Sequence, residues 1–196
     1  MDFSVDRDDA EAPRLLLHCC CAPCASYVLE YLSPFYQITI LFYNPNIQPL
    51  EEHDKRAGEL EKLLSLAEFP NHVNMLAVEY DAAAFEFAAI QFRDEPEGGR
   101  RCRACFELRL GETAARAGAG GYDCFATTLT VSPHKAASVI NEIGGNLAVM
   151  HGVKYLDSDF KKRDGYKRSI ELSKQYGLYR QSYCGCGLGE KATRRG

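Results

Sequence analysis

Residues 14–24 read Arg14-Leu15-Leu16-Leu17-His18-Cys19-Cys20-Cys21-Ala22-Pro23-Cys24. A short apolar run ends in a loop of small residues. From Ala22 to Leu32 apolar side chains then recur with helical spacing at Ala25, Val28, Leu29 and Leu32. This is strand, loop, helix, the opening unit of an α/β fold. Downstream, Gln37 to Tyr43 is β-branched and aromatic, a second buried strand, and Asn44-Pro45-Asn46-Ile47-Gln48-Pro49 breaks it. A polar helix is expected from Leu50 to Ala67, a third strand from Val73 to Val78, a helix from Asp81 to Phe92 and a loop over Glu95 to Gly99. Helical spacing resumes from Arg103 to Ala117, and Cys124 to Leu129 has strand composition. Ser132 and Pro133 then offer an N-cap and a first-turn proline for a helix running past Ile140 toward Val149, with a bend at Gly144-Gly145. A last helix covers Tyr166 to Tyr176 and stops at Gly177. Strands alternating with helices of this length predict an α/β chain with a mostly parallel sheet flanked by helices on both faces. One domain is expected over residues 14–190, between a flexible acidic arm at 1–13 and a flexible basic tail at 191–196.

The 196 residues are 46% hydrophobic and include ten Phe and eleven Tyr, enough to bury one sizeable core. That composition excludes a disordered chain. The acidic start has no apolar signal-peptide region, and no run is long and apolar enough to span a membrane. The expectation is therefore a cytoplasmic protein, in whose reducing surroundings nine cysteines point to metal or redox chemistry rather than a disulfide framework. Charge is uneven along the chain. Residues 151–196 hold eleven basic and five acidic side chains in a protein of net charge −4, densest at Lys161-Lys162-Arg163 with Lys167 and Arg168. Such a stretch is either a surface for phosphates or a solvated helix face.

The cysteines fall into groups. Cys19, Cys20, Cys21 and Cys24 lie on a loop entering a helix, where the helix dipole stabilises thiolates. Four cysteines in six positions exceed what packing needs. Cys21-Ala22-Pro23-Cys24 also has the C-x-x-C form of a thiol-exchange site. A second C-x-x-C, Cys102 to Cys105, follows a Gly-rich loop. The two groups together supply four or more ligands, as for [4Fe–4S] or structural zinc. The third group, Cys184-Gly185-Cys186, is too closely spaced for an unstrained disulfide, so a redox-active pair is the chemically sensible reading. Cys124, alone at a strand start, reads as a core residue.

The blocks LLLHCCCAPC, FYNPNI, RCRACFELRL, TTLTVSPHK and LYRQSYCGC, in this order over residues 15–186, resemble the epoxyqueuosine reductase family of the QueH type. The resemblance implies a Rossmann-like domain, similar to the nucleotide α-hydrolase architecture, that reduces epoxyqueuosine to queuosine in tRNA, the last step of queuosine biosynthesis. It implies a [4Fe–4S] cluster and an adjacent mononuclear iron. In the family motif H-x-C-C-x-P-C the paired cysteines fall on Cys20 and Cys21, which with Cys102 and Cys105 become the cluster ligands. Cys19 falls on the variable position, and Cys24 becomes the candidate for the second iron. Cys184 and Cys186 match the family's redox-active disulfide. Gln48 stands where the family favours His.

Opening an epoxide to an alkene removes one oxygen and takes two electrons, so the external electron donor is a required partner. Tyr183, His18 and Asp159 are conceivable proton donors, each also a common structural residue. For the tRNA, Tyr43 and Tyr183, with Phe42, are candidates to stack on extruded bases, and Asn44 and Asn46 are candidate substrate contacts. Two rival functions share these features. An ATP-dependent tRNA sulfurtransferase needs a Gly/Ser-rich pyrophosphate loop after the first strand, where this chain has HCCCAPC. A zinc module presenting its basic segment to RNA would carry zinc and no labile sulfide.

Overall fold

The computed structural model describes residues 11–187, apart from residue 77. Most of the acidic arm and all of the basic tail lie outside the described residues.

Five parallel strands form one sheet in the order β3-β2-β1-β4-β5. They are β1 (Arg14–His18), β2 (Gln37–Leu41), β3 (Val73–Leu76), β4 (Cys124–Thr127) and β5 (Lys154–Tyr155). Strand β1 is central, with Leu15 opposite Ile38 on one side and Cys124 on the other. Its three leucines are all buried because both faces are covered. Leu15 and Leu17 join the core beneath α1 (Ala22–Leu32) and α2 (Leu50–Leu66), while Leu16 joins Phe125, Ala114 and Ala117 on the opposite face. That second face is covered by α4 (Arg100–Ala119) and α5 (Ala137–His151); α3 (Ala82–Ala89) packs on α4, and α6 (Gly165–Gln175) packs on α1. Among the described residues no helix is long and apolar enough to cross a membrane.

The order reverses direction at β1, with β2 built outward on one side and β4 on the other. The crevice beyond the carboxyl ends of β1 and β4 is where such sheets bind ligands. Cys19 to Cys21 follow β1 into that crevice, and residues 128–136 follow β4 into it.

Several boundaries differ from the sequence expectation. Helix α4 begins at Arg100, three residues early, because Glu95 Oε2 accepts the Arg100 backbone N–H at 2.6 Å, so Cys102 joins Cys105 on the helix rather than preceding it. Ser132 and Pro133 do not start α5. Thr127 Oγ1 caps Leu129 N–H, residues Thr128–Val131 form a 3₁₀ turn, and α5 starts only at Ala137. Gly144 and Gly145 lie inside α5 without interrupting it. The two-residue strand β5 was not foreseen. Helix α6 ends before Gly177, whose φ of +59° suits the expected stop.

Candidate active site

Helix α1 opens on Cys21 as N-cap, with Pro23 in its first turn, where the missing N–H costs nothing. This aims the helix N-terminus at the cysteine loop. Cys20, Cys21 and Cys24 bring their Sγ atoms within 4.8 Å of one another, and Cys20 and Cys21 are 3.8 Å apart. Hydrogen bonds from Cys21 and Cys24, reinforced by Lys135 and Arg109 against the opposing effect of burial, hold Cys20 well below the usual thiol range. The same interaction with Cys20 pushes Cys21 up to about 11 and raises Cys24. The three sulfurs thus interact, and negative charge among them is favoured on Cys20. Cys19 and Cys124 take no part and are packed in the core.

This group forms one wall of a cavity of about 360 Å³, which Tyr166, Arg180, Gln181 and Tyr183 also border. A narrower cavity of about 60 Å³ is bordered by Cys102, Cys105, Cys184 and Cys186. Cys102 and Cys105 are therefore outside the three-sulfur group, although Cys102 and Cys20 pack against the same Phe106–Leu129 cluster. A third cavity of about 30 Å³, room for one water, touches Cys20, Asn46 and Gln181. Lys135 and Cys184 border all three cavities. Burial lowers the affinity of Lys135 for its proton, but Cys20, Cys184 and Cys24 outweigh it and keep the ammonium charged.

Behind the sulfurs lies a buried polar chain. Arg109, 2% exposed, donates from Nη2 to Asn44 Oδ1 at 2.6 Å, from Nε to His18 Nε2 at 3.3 Å, and from Nη1 to Cys105 Sγ at 3.7 Å. With Nε2 accepting, the neutral His18 ring carries its proton on Nδ1, which donates to Thr127 Oγ1 at 2.9 Å. Burial first, and Arg109 second, lower the His18 pKa to about 3, so this ring is no proton donor near neutrality. Gly98 N–H points at Cys102 Sγ, 3.2 Å away. Arg101 is buried beside it and donates to the carbonyls of Arg93 and Glu95, while its Nε and Nη2 have no protein partner. Arg56, Arg101, Arg109 and Lys135 were not foreseen as site residues.

The substrate candidates separate. Tyr183 borders the large cavity, and Asn46 the smallest, where its Oδ1 has no partner. Asn44 is instead committed to the protein at both ends, donating to Cys19 O at 2.8 Å and accepting from Arg109. Phe42 is a core residue 5.0 Å from the His53 ring, and Tyr43 packs against the Leu16–Phe125 cluster. Asp159 holds Lys161 and Lys162, and Arg168 holds Glu30 and Glu171, so much of the basic stretch is already neutralised.

The sequence model of the family described as "Epoxyqueuosine reductase QueH" matches residues 15–192. Proteins so described from Streptococcus pyogenes serotype M1 and Staphylococcus epidermidis are 45% and 46% identical, covering 89% and 91% of this chain and 69% and 76% of theirs. The Thermotoga maritima protein of the same description is 36% identical over 88% of each chain. The fold is similar to a solved structure from Methanocaldococcus jannaschii described as a predicted subunit of tRNA methyltransferase, with a TM-score of 0.50, 14% identity and coverage of 82% of this chain and 76% of that one. With the match running from the first strand through all three cysteine groups, the chain belongs to the QueH family of epoxyqueuosine reductases.

Proposed function

We propose that this chain reduces epoxyqueuosine to queuosine in tRNA, with the modified base held in the 360 Å³ cavity. The observation that carries the reading is the three-sulfur group of Cys20, Cys21 and Cys24 in the wall of that cavity. The donor set fits a metal. A metal with bonds of about 2.3 Å in tetrahedral array has ligand sulfurs about 3.8 Å apart, the separation of Cys20 and Cys21. The surrounding cations, Lys135 and Arg109, suit a centre of net negative charge. The family resemblance implies Cys20, Cys21, Cys102 and Cys105 as the ligands that would hold a [4Fe–4S] cluster and Cys24 as the ligand of an adjacent iron, whereas the sulfurs that lie together in this structure are those of Cys20, Cys21 and Cys24, a set for one metal ion. When bound, these groups supply single electrons and a Lewis acid for an epoxide oxygen.

The chain's own residues do the rest. Tyr166 and Tyr183 offer aromatic faces to the base at the cavity wall, and Arg180, 5.9 Å over the Tyr166 ring, offers a cation to tRNA phosphate. Lys135 borders the same space and is our candidate for a charged donor to the alkoxide that forms on ring opening. Cys184, which borders the two larger cavities, is our candidate to relay electrons, its dithiol pair with Cys186 becoming the disulfide as two electrons and two protons leave, and a donor outside the chain returning it to the dithiol. A tRNA-modifying role puts the protein in the cytoplasm.

The test is anaerobic loading with iron and sulfide, incubation with tRNA carrying epoxyqueuosine and a chemical reductant, and nucleoside analysis. Queuosine is expected. No product from loaded protein, or zinc as the sole bound metal of protein purified anaerobically, would overturn the reading.

A further inference from the structure

The segment carrying Cys184 and Cys186 follows α6 with no regular structure of its own, yet Cys186 is 8% exposed. Its backbone is held by α2 and the turn before it. Arg56 donates from Nη1 to Cys184 O at 3.1 Å and from Nη2 to Tyr183 O at 3.4 Å. The next carbonyl, Gly185 O, accepts Gln48 N–H at 2.8 Å. Three consecutive carbonyls are thus tied to one region. Arg56 is itself fixed, being 2% exposed with Nε donating to Glu52 Oε1 at 2.7 Å, one turn back on the same helix. Tyr179 Oη donates to the Glu52 carboxylate at 3.4 Å. The backbone favours glycine between the cysteines, with φ at Gly185 of +97°, and a Cβ there would crowd the Arg56 guanidinium at 3.1 to 3.3 Å.

A guanidinium at this depth is costly to desolvate, and its partners are backbone carbonyls on a segment 127 and 128 residues away in sequence. The Glu52 pair supports the helix itself, but the two carbonyl contacts do not. What the contact fixes is the position of Cys184, one of two residues that border all three cavities.

We propose that Arg56 is a positioning residue for the C-terminal cysteine pair: backed by Glu52, it docks the carbonyls of Tyr183 and Cys184 on α2 and so holds the Cys184 thiol at the meeting point of the cavities. The significance for catalysis rests on the proposed function; the docking itself does not.

The experiment measures alkylation of each cysteine by N-ethylmaleimide, resolved by peptide mass spectrometry, in the anaerobically purified, metal-loaded chain. In Arg56→Met, labelling of Cys184 and Cys186 is expected to accelerate by about tenfold or more, the factor corresponding to loss of one charge-assisted hydrogen bond, while Cys19 and Cys124 keep their parent rates. Gly185→Ala attacks the same contact from the other side and is expected to give the same pattern, so the test stands if Arg56→Met fails to fold. Because both changes loosen the same docking, the double variant is expected to be faster by less than the product of the two single effects. Parent-like labelling of Cys184 and Cys186 in a folded variant, an equal rise at Cys19 and Cys124, or multiplying effects in the double variant would overturn the proposal. Cys184→Ser separates the two readings. If that chain still makes queuosine, Cys184 leaves the electron path while the labelling result stands.

Discussion

Replacing Arg109 by Met probes the polar chain behind the sulfurs. The 2.6 Å bond to Asn44 Oδ1 joins a charged donor to a neutral acceptor and is worth about 1.5–3 kcal/mol. The 3.3 Å bond to His18 Nε2 is longer and worth about 1 kcal/mol. Met fills similar volume but leaves Asn44 Oδ1 and His18 Nε2 buried without donors, at about 1–3 kcal/mol for each such group. Relief of the guanidinium's own desolvation offsets part of this. The net loss expected is about 3–4 kcal/mol, a large share of the roughly 5–15 kcal/mol that holds a domain together. Because the chain has no Trp, urea unfolding is best followed by far-UV circular dichroism, with chelator and reductant present so that metal binding adds nothing. The midpoint should fall with unchanged slope. In a double-mutant cycle with Asn44→Ala, a coupling of about 1.5 kcal/mol or more is expected. A net loss under about 1 kcal/mol, or additive effects in the cycle, would refute the claim that Arg109 organises Asn44. Arg109→Lys should recover little, since a point charge cannot reach Asn44, His18 and Cys105 together.

His18 gives the protein a defined acid sensitivity. Its folded pKa, about 3, lies below the unfolded value of about 6.5. The unfolded chain therefore takes up a proton that the folded chain refuses. Stability is full above about pH 6.5 and falls by about 1.4 kcal/mol per unit as pH drops toward 3; measured between pH 6.5 and 5, this slope should be shallower by that amount in His18→Gln, and an identical slope would contradict it. A Cβ at Gly144 would overlap the Tyr155 ring, so Gly144→Ala should cost about 1–3 kcal/mol by overpacking. That cost should vanish in a Tyr155→Ala background, and its persistence there would point to the helix rather than the ring. Arg180→Ala should weaken tRNA binding and reduce its salt dependence, whereas Arg168→Ala should not, because that guanidinium is held by Glu30 and Glu171; the reverse ranking in filter binding would move the phosphate surface onto α6.

The first half of the sheet was legible because its signals are local. Arg14–His18, Ala22–Leu32 and Gln37 onward are set by composition and spacing within each segment, and the structure places β1, α1 and β2 there. Where an end is set by a partner outside the local pattern, the reading slipped. Helix α4 is capped by Glu95, five residues upstream of Arg100, which a three-residue capping rule does not see. The Ser-Pro signal at 132–133 was overridden by the Thr127 cap, which winds the chain into a 3₁₀ turn and leaves Lys135 at the cavities rather than inside a helix. In the site, the cysteines announce themselves by clustering. Arg56 and Arg109 do not, because their burial depends on Cys184 and Asn44, distant in sequence, and a lone arginine in a helical pattern reads as solvated. Asn44 shows the converse: a polar residue in a motif loop that looked available for substrate and is fully bonded to the protein.

The central place of β1 also sets an order of events in time. Its residue His18 meets Thr127 on β4 across 109 residues of chain, and the Cys184 carbonyl meets Arg56 across 128. During synthesis the thiol-rich loop after β1 is made early, while the strand that completes its side of the sheet, the arginine behind it and the lysine beside it are made much later. Long-range pairings of this kind form slowly, since loop closure precedes any gain from contact. A nascent chain therefore carries Cys20, Cys21 and Cys24 on an unfinished surface, without the cations that hold a thiolate in place. The interval before those cations arrive is when these sulfurs are most open to oxidation.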